Sequence, residues 1–168
     1  HPYLVRARER LGDESVTWRQ ITRFFNRIPT PEVVGEIAGV KREIERGQIH
    51  EEKKEFEQAI AAYTRAIHED SRLSEPYARR GVVYSKIRRY PEAIRDLTQA
   101  IRIDPRHPQP YVNRATIYFL LGRYPKALED ISKATWIAPN LVDAVRTQGN
   151  IYLAMGQFDR AAQDFTRA

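Results

Sequence analysis

The stretch from Tyr77 to Pro105 reads YARRGVVYSKIRRYPEAIRDLTQAIRIDP, and 34 residues later Tyr111 to Pro139 reads YVNRATIYFLLGRYPKALEDISKATWIAP. The two segments agree in the places of a small residue, two aromatic residues, two alanines and a closing proline. A fixed period of this length indicates a chain built from repeated supersecondary units.

The same period continues on both sides of these two segments. The recurring columns are a small residue (Gly81, Ala115, Gly149), an aromatic (Tyr84, Tyr118, Tyr152), a second aromatic (Tyr90, Tyr124, Phe158), an alanine (Ala93, Ala127, Ala161), a large apolar residue (Leu97, Ile131, Phe165) and another alanine (Ala100, Ala134, Ala168). A weaker first copy contains Gly47, Phe56, Ala59, Tyr63 and Ala66. The chain therefore consists largely of copies of one unit.

Each column predicts a local structure. The small residue lets two helices approach closely, and the aromatic three residues later lies on the same helix face. Pro91 and Pro125 predict the start of a second helix, where the missing N–H has no intrahelical partner to lose. Pro105 and Pro139 predict its end, because proline cannot continue the hydrogen-bond ladder. Each unit is thus a pair of antiparallel helices.

This order of small, aromatic, alanine and proline columns resembles the tetratricopeptide repeat (TPR). The resemblance covers residues 40–168 and implies an all-α, right-handed superhelical solenoid of antiparallel helix pairs. The units are 40–73, 74–107, 108–141 and a truncated 142–168. Residues 1–39 lack the pattern and are interpreted as an N-terminal helical extension.

The extension carries helical signals of its own. A helix is predicted to open near Ser15 and to end before Pro29, and a second starts with Thr30 as N-cap and Pro31 as first residue, running into the first repeat. Trp18, with the two phenylalanines that follow it, either covers the open N-terminal end of the stack or belongs to an arm that folds back into the groove or docks a membrane partner. The sequence leaves these alternatives open.

The two terminal units differ from the middle ones. Glu43 stands where the later units carry Tyr77, Tyr111 and Val145, and His50 stands where they carry tyrosine, as expected of a capping repeat. The last unit stops within its second helix, which leaves Phe158 and Phe165 exposed. We expect the natural protein to continue, or this end to pack against another copy.

The resemblance implies that the first helix of each pair lines a concave groove. The groove columns that we select for partner binding are Arg79, Val82, Lys86, Val112, Asn113, Thr116, Arg146 and Asn150. Asparagine can hydrogen-bond a peptide main chain, and arginine can pair with a carboxylate. An apolar floor that includes Phe119, Leu120 and Leu153 completes the groove. The same side chains are equally explained as a solvated helix face.

Some members of the family grip the C-terminal carboxylate of heat-shock chaperones with a lysine, asparagine and arginine clamp at fixed columns. Those columns hold Ile44, Gln48, Arg79, Gln109 and Asn113, or, one unit later, Ala78, Val82, Asn113, Asp143 and Thr147. Neither set reproduces the clamp. We therefore do not expect capture of chaperone tails.

Composition and charge limit which classes of function remain possible. The net charge of +6 lies mainly within residues 74–141 and favours an acidic partner, although solvated helix faces also explain it. There is no cysteine, the four histidines lack ligand spacing, and no catalytic motif or phosphate loop is present. We expect no metal, no cofactor, no nucleic-acid ligand, no transmembrane segment and no enzymatic activity.

Two functions remain. The first is a non-catalytic protein-interaction scaffold that binds a peptide or helical segment of a partner protein in its concave groove. The alternative is a structural assembly module that forms a homo-oligomer through its stack ends or its N-terminal arm.

Overall fold

The computed structural model describes the backbone of residues 31–167 and the side chains of residues 38–166. Eight helices occupy this part: α1 (Pro31–Glu52), α2 (Phe56–Glu69), α3 (Ser74–Lys86), α4 (Tyr90–Ile103), α5 (Pro108–Leu120), α6 (Tyr124–Ile137), α7 (Val142–Ala154) and α8 (Phe158–Arg167). None of these helices is both long and apolar enough to cross a membrane. The predictions for Ser15, Trp18 and the rest of residues 1–30 lie outside the described residues.

The second helix of each unit begins where the repeat predicts. Helices α4, α6 and α8 start at Tyr90, Tyr124 and Phe158, and α4 and α6 carry proline in the first turn. Helices α4 and α6 end one residue before the Asp104-Pro105 and Ala138-Pro139 pairs. Helix α1 begins at Pro31 and continues unbroken for 22 residues into the first repeat, as predicted.

The small-residue column sets the spacing within each helix pair. A Cβ atom added to Gly81 would lie 2.9 Å from Leu97 Cγ, and one added to Gly149 would lie 2.7 Å from the ring of Phe165. Both distances are too short for a real contact, so the second helix occupies the space that a side chain would need. The predicted close approach of the two helices is confirmed.

The core consists of the alanine columns and the large apolar side chains between them. The alanines at 93, 100, 127 and 134 are fully buried, and the largest fully buried side chains include Tyr63, Leu97, Ile117, Ile131 and Ile151. Small side chains at the crossings let the large ones interlock at crystal-like density. Burial of this kind is the main source of stability in a helical stack.

The packing order places the first helices of successive units side by side. Each second helix packs on the next first helix, and α3 also packs on α5, as α5 does on α7. We call the surface carried by α1, α3, α5 and α7 the inner face. The surface carried by α4 and α6 is the outer face.

The turns inside the units share one backbone feature. Lys54, Arg88, Gly122 and Gly156 occupy the same column, and all four have a positive φ between 60° and 73°. This left-handed conformation suits glycine and strains a side-chain-bearing residue. The turns of the first two units are therefore strained at lysine and arginine, whereas glycine in the last two units adopts the same conformation without strain.

Candidate binding groove

The structure places most of the predicted groove residues on accessible surface of the inner face. Lys86, Thr116, Arg146 and Asn150 are exposed, and Arg79, Val82 and Asn113 are half-buried. Val112 differs, because it is only 3% exposed and packs in the core beside Tyr111 and Ala115. It therefore offers a partner almost no surface, and its predicted contact role is not supported by its position.

The most polar part of the inner face lies between α1 and α3. A cavity of about 310 Å³ is lined there by Gln48, Glu51, Glu52, Arg79 and Lys86. Lys86 Nζ donates to Glu51 Oε1 at 2.8 Å, across two repeats. Tyr63 Oη donates to the other carboxylate oxygen of Glu51, also at 2.8 Å. Glu51 therefore joins the first helix pair to the second.

Arg79 forms the other half of this polar cluster. Its Nε donates to Glu75 Oε1 at 2.7 Å, and its Nη2 donates to the Gln48 side-chain oxygen at 2.9 Å when that amide is turned to face it. Burial opposes the charge on Arg79, but the hydrogen bond and charge of Glu75, with further charges nearby, raise its pKa above the usual value. Arg79 is thus held as a cation with defined partners.

The ionisation of Tyr63 is suppressed in the same cluster. Burial raises the pKa of the phenol, and the hydrogen bond and charge of Glu51 raise it further. The phenol therefore remains a donor that orients Glu51. Both groove cations at this end, Arg79 and Lys86, are compensated by carboxylates of the same surface.

The middle of the inner face carries an amide pair. Gln109 Nε2 donates to Asn113 Oδ1 at 3.2 Å along one face of α5. The side-chain amino group of Asn113 has no hydrogen-bond partner within residues 38–166 that would compete with a ligand. It is therefore the donor that this helix offers to a peptide carbonyl.

The C-terminal ends of α5 and α7 make the inner face apolar. Leu120 is 57% exposed and Leu153 is 50% exposed. Phe119 lies against Tyr124, with ring centroids 6.0 Å apart. Arg146, nearer the start of α7, pairs with Asp143 at 2.7 Å. The surface thus changes from charged and internally paired to apolar along the stack.

The comparisons with known proteins agree with this architecture. Family models described as tetratricopeptide repeat match residues 44–71, 74–107 and 97–129. The chain belongs to the tetratricopeptide repeat family. Its all-α fold of antiparallel helix pairs, predicted from the 34-residue period, is confirmed. A search of curated protein sequences found no match.

Solved structures show the same fold. The crystal structure of MamA matches with a TM-score of 0.70 at 23% identity, over 76% of this chain and 75% of that one. The TPR domain of Arabidopsis OM64 matches with a TM-score of 0.68 at 23% identity, over 71% and 98%. The second TPR domain of human RPAP3, solved with the HSP70 peptide SGPTIEEVD, matches with a TM-score of 0.66 at 30% identity, over 69% and 97%.

The sequence analysis did not identify Glu51 or Tyr63 as groove residues. The first unit departs from the aromatic columns of the later ones, so the repeat pattern does not indicate which of its side chains face the groove. The link between Glu51 and Lys86 joins residues in different units. No repeated column carries it, and the two charges meet only because the fold brings side chains of α1 and α3 together.

Proposed function

We propose that this TPR domain is a non-catalytic scaffold that binds a segment of a partner protein along its inner face. The observation that carries the proposal is the cavity between α1 and α3, where polar side chains from two units converge. Convergent polar groups beside apolar surface are typical of peptide and ligand sites. The exposed leucines at 120 and 153 supply that apolar surface farther along the stack.

The internal ion pairs favour one kind of segment. A carboxylate that reached Arg79 or Lys86 would have to compete with Glu75 and Glu51 for the same cations. An exposed surface pair is worth less than about 1 kcal/mol, so competition is feasible but not strongly favourable. The groove therefore suits a segment of mixed polarity, whose main chain bonds Asn113 and whose apolar side chains reach Leu120.

The human RPAP3 domain supports peptide binding as the general role of this fold. That domain, 30% identical to this chain, was solved with an acidic HSP70 peptide. The clamp columns of this chain differ, because Ile44 is buried and Gln109 bonds to Asn113. Peptide binding is accordingly proposed here without the chaperone tail as its ligand.

The test begins with peptides selected on the domain from a phage-displayed library. Their affinities are measured by titration calorimetry for the wild type and for an Arg79→Met/Asn113→Ala variant. Methionine keeps the bulk of Arg79 without placing a new carboxylate beside Glu75. We expect at least a tenfold weaker affinity, equivalent to about 1.4 kcal/mol, because both substitutions remove contacts to the ligand.

The matched control is Arg95→Gln/Arg102→Gln, which changes two exposed cations on the outer face. We expect it to bind the selected peptides as the wild type does, and all three proteins to melt at similar temperatures. Normal binding by the Arg79→Met/Asn113→Ala variant would show that the inner face is not the peptide site.

Self-assembly is the second candidate function, and one observation favours it. The last helix pair exposes Leu153, Met155, Phe158 and Phe165, with fractional exposures of 50, 38, 67 and 42%. Exposed apolar surface of this kind commonly marks an interface. Light scattering coupled to gel filtration tests it: assembly raises the mass with concentration, and a Phe158→Glu variant lowers it. A constant mass of 19.6 kDa contradicts assembly.

A further inference from the structure

The outer face carries two pockets that are related by one repeat period. The first, about 450 Å³, lies over Tyr77 between the side chains of Arg95, Gln99 and Arg102. The second, about 620 Å³, lies over Tyr111 between Glu129, Lys133 and Trp136. Within each helix the three residues are four and seven positions apart and so share one side. The two pockets are therefore a recurring feature of the repeat.

The charges of the outer face differ from those of the inner face. Arg95 and Arg102 are both exposed, and neither has a carboxylate within ion-pairing distance among the described residues. The hydrogen bond from Arg89 holds the pKa of Glu92 below its usual value, and the charge of Arg95 contributes to the same shift without an ion pair. These two cations of α4 therefore remain available to an outside carboxylate.

The second pocket adds an aromatic anchor. Trp136 is 75% exposed, the highest value among the large apolar side chains described. Lys133 Nζ lies 4.7 Å from the centroid of its ring, close enough for a cation–π interaction. The lysine adds a third positive charge beside the indole, and the exposed carboxylate of Glu129 offsets only part of this charge. Tryptophan and arginine are also the residues most often found at the energetic centres of interfaces.

The floor of both pockets is electrically neutral. Arg80 pairs with Asp96 in the first pocket, and Arg114 pairs with Asp130 in the second. Both pairs are nearly buried, and within each pair the two opposite charges cancel. The net positive charge of the surface therefore comes from Arg95, Arg102 and Lys133, which stand at the rim.

We propose that the outer face formed by Arg95, Arg102, Lys133 and Trp136 is a second binding surface, for an acidic segment of a partner protein that also carries an apolar side chain. Carboxylates pair with the guanidinium groups in bidentate geometry, and the apolar side chain covers the indole. The surface lies on second helices and the groove on first helices. Both can be occupied at once, and the two proposals do not depend on each other.

The experiment uses a fluorescein-labelled peptide of glutamates interleaved with leucines as the probe. Two control peptides replace either the glutamates by glutamine or the leucines by serine. Anisotropy measures binding, and the indole N–H resonance of Trp136 in a ¹⁵N-correlation spectrum reports where the probe sits. We expect saturable binding that weakens with salt, at least tenfold weaker binding of both control peptides, and a shift of the Trp136 resonance.

Variants separate this surface from the groove. Arg95→Gln/Arg102→Gln and, independently, Trp136→Ala are expected to weaken the probe at least tenfold, because all three side chains are exposed and their loss leaves the core intact. The Arg79→Met/Asn113→Ala variant is expected to bind the probe normally. Library peptides that bind the inner face provide the reverse control, since they should not respond to the outer variants.

Four results would overturn the proposal. The first two are the absence of saturable binding and an unmoved Trp136 resonance. The third is loss of probe binding in the Arg79→Met/Asn113→Ala variant alone. The fourth is tighter binding of duplex RNA or of anionic lipid vesicles than of the probe at the same residues. The last result would assign the surface to a different class of partner.

Discussion

Arg80 on α3 donates two parallel hydrogen bonds to Asp96 on α4, from Nε to Oδ2 at 2.6 Å and from Nη2 to Oδ1 at 3.0 Å. The side chains are only 12% and 3% exposed. The remaining Nη1 of Arg80 donates to Thr64 Oγ1 on α2 at 2.8 Å. One unit later Arg114 repeats the pattern with Asp130 and Thr98. Each arginine therefore connects three consecutive helices.

Removing one partner of this pair is predicted to be strongly destabilising. Asp96→Ala leaves Arg80 as an uncompensated, nearly buried cation, which typically costs about 3–5 kcal/mol of unfolding free energy. Glu92→Ala, on the same helix as Asp96, is the matched control, because it breaks only an exposed pair with Arg89, and such pairs contribute little to stability. Urea denaturation measures both. Equal losses would contradict the importance of the buried pair.

Gly81→Ala is predicted to destabilise the second unit by about 1–3 kcal/mol, because the new Cβ overpacks against Leu97 Cγ and the Ala93 carbonyl oxygen. The double variant Gly81→Ala/Leu97→Ala provides the control, since the smaller side chain vacates the contact. The double variant should then lose less unfolding free energy than the sum of the losses in the two single variants. Strict additivity in chemical denaturation would argue against a clash.

The turn column predicts stability changes of opposite sign. Arg88→Gly should stabilise the chain by about 1 kcal/mol, since Arg88 has φ 62° and glycine adopts that conformation without steric strain. Gly122→Ala should destabilise it by a similar amount, because φ there is 69° although nothing crowds the position. Thermal unfolding of the two variants decides the matter, and changes of the same sign would contradict the strain argument.

Alkaline pH is predicted to weaken the first two units through Tyr63. Its folded pKa is raised above the ordinary value of 10.0 by burial and by Glu51, so the unfolded chain loses that proton first. The stability from this group is complete below about pH 10 and is lost as the pH rises toward the folded pKa. The unfolding free energy of Tyr63→Phe should fall less steeply with rising pH across this range than that of the wild type. Parallel curves would exclude Tyr63 as the cause.

The HSP70 peptide SGPTIEEVD is predicted not to bind saturably. Among the residues at the clamp columns only Arg79 carries a positive charge, and Glu75 already pairs with it. Calorimetric titration of the peptide, with the human RPAP3 domain as positive control, checks the expectation. Tight binding that disappears in Arg79→Met would show that this groove captures acidic tails despite its own carboxylates.

The helix boundaries could be predicted because independent signals coincide at them. Tyr90 and Pro91 mark both a repeat column and a helix start, and Pro105 marks both a repeat end and a helix stop. Gly81 similarly combined a recurring position with a steric requirement. Where periodicity and local chemistry agree in this way, the structure follows from the sequence.

The side-chain networks were not predicted, although part of their signal was present. Arginine recurs at 46, 80 and 114, and aspartate recurs 16 residues after the last two. Ala62 stands at the aspartate column of the first unit, so Arg46 there pairs with Glu43 instead. The outer pockets could not be predicted for another reason, because the exposure of Trp136 follows from the packing of the helices and not from the repeat pattern.

The bonds from Arg80 to Thr64 and from Arg114 to Thr98 bear on how the stack loses its structure. They span neighbouring units, so each adds to the interfacial coupling that makes adjacent repeats melt together rather than separately. In the last unit the arginine column holds Gln148, whose side chain is shorter than that of arginine and carries no charge. Amide hydrogen exchange should accordingly be slowest in α3 to α6 and faster in α7 and α8, a gradient in cooperativity set by a single recurring arginine.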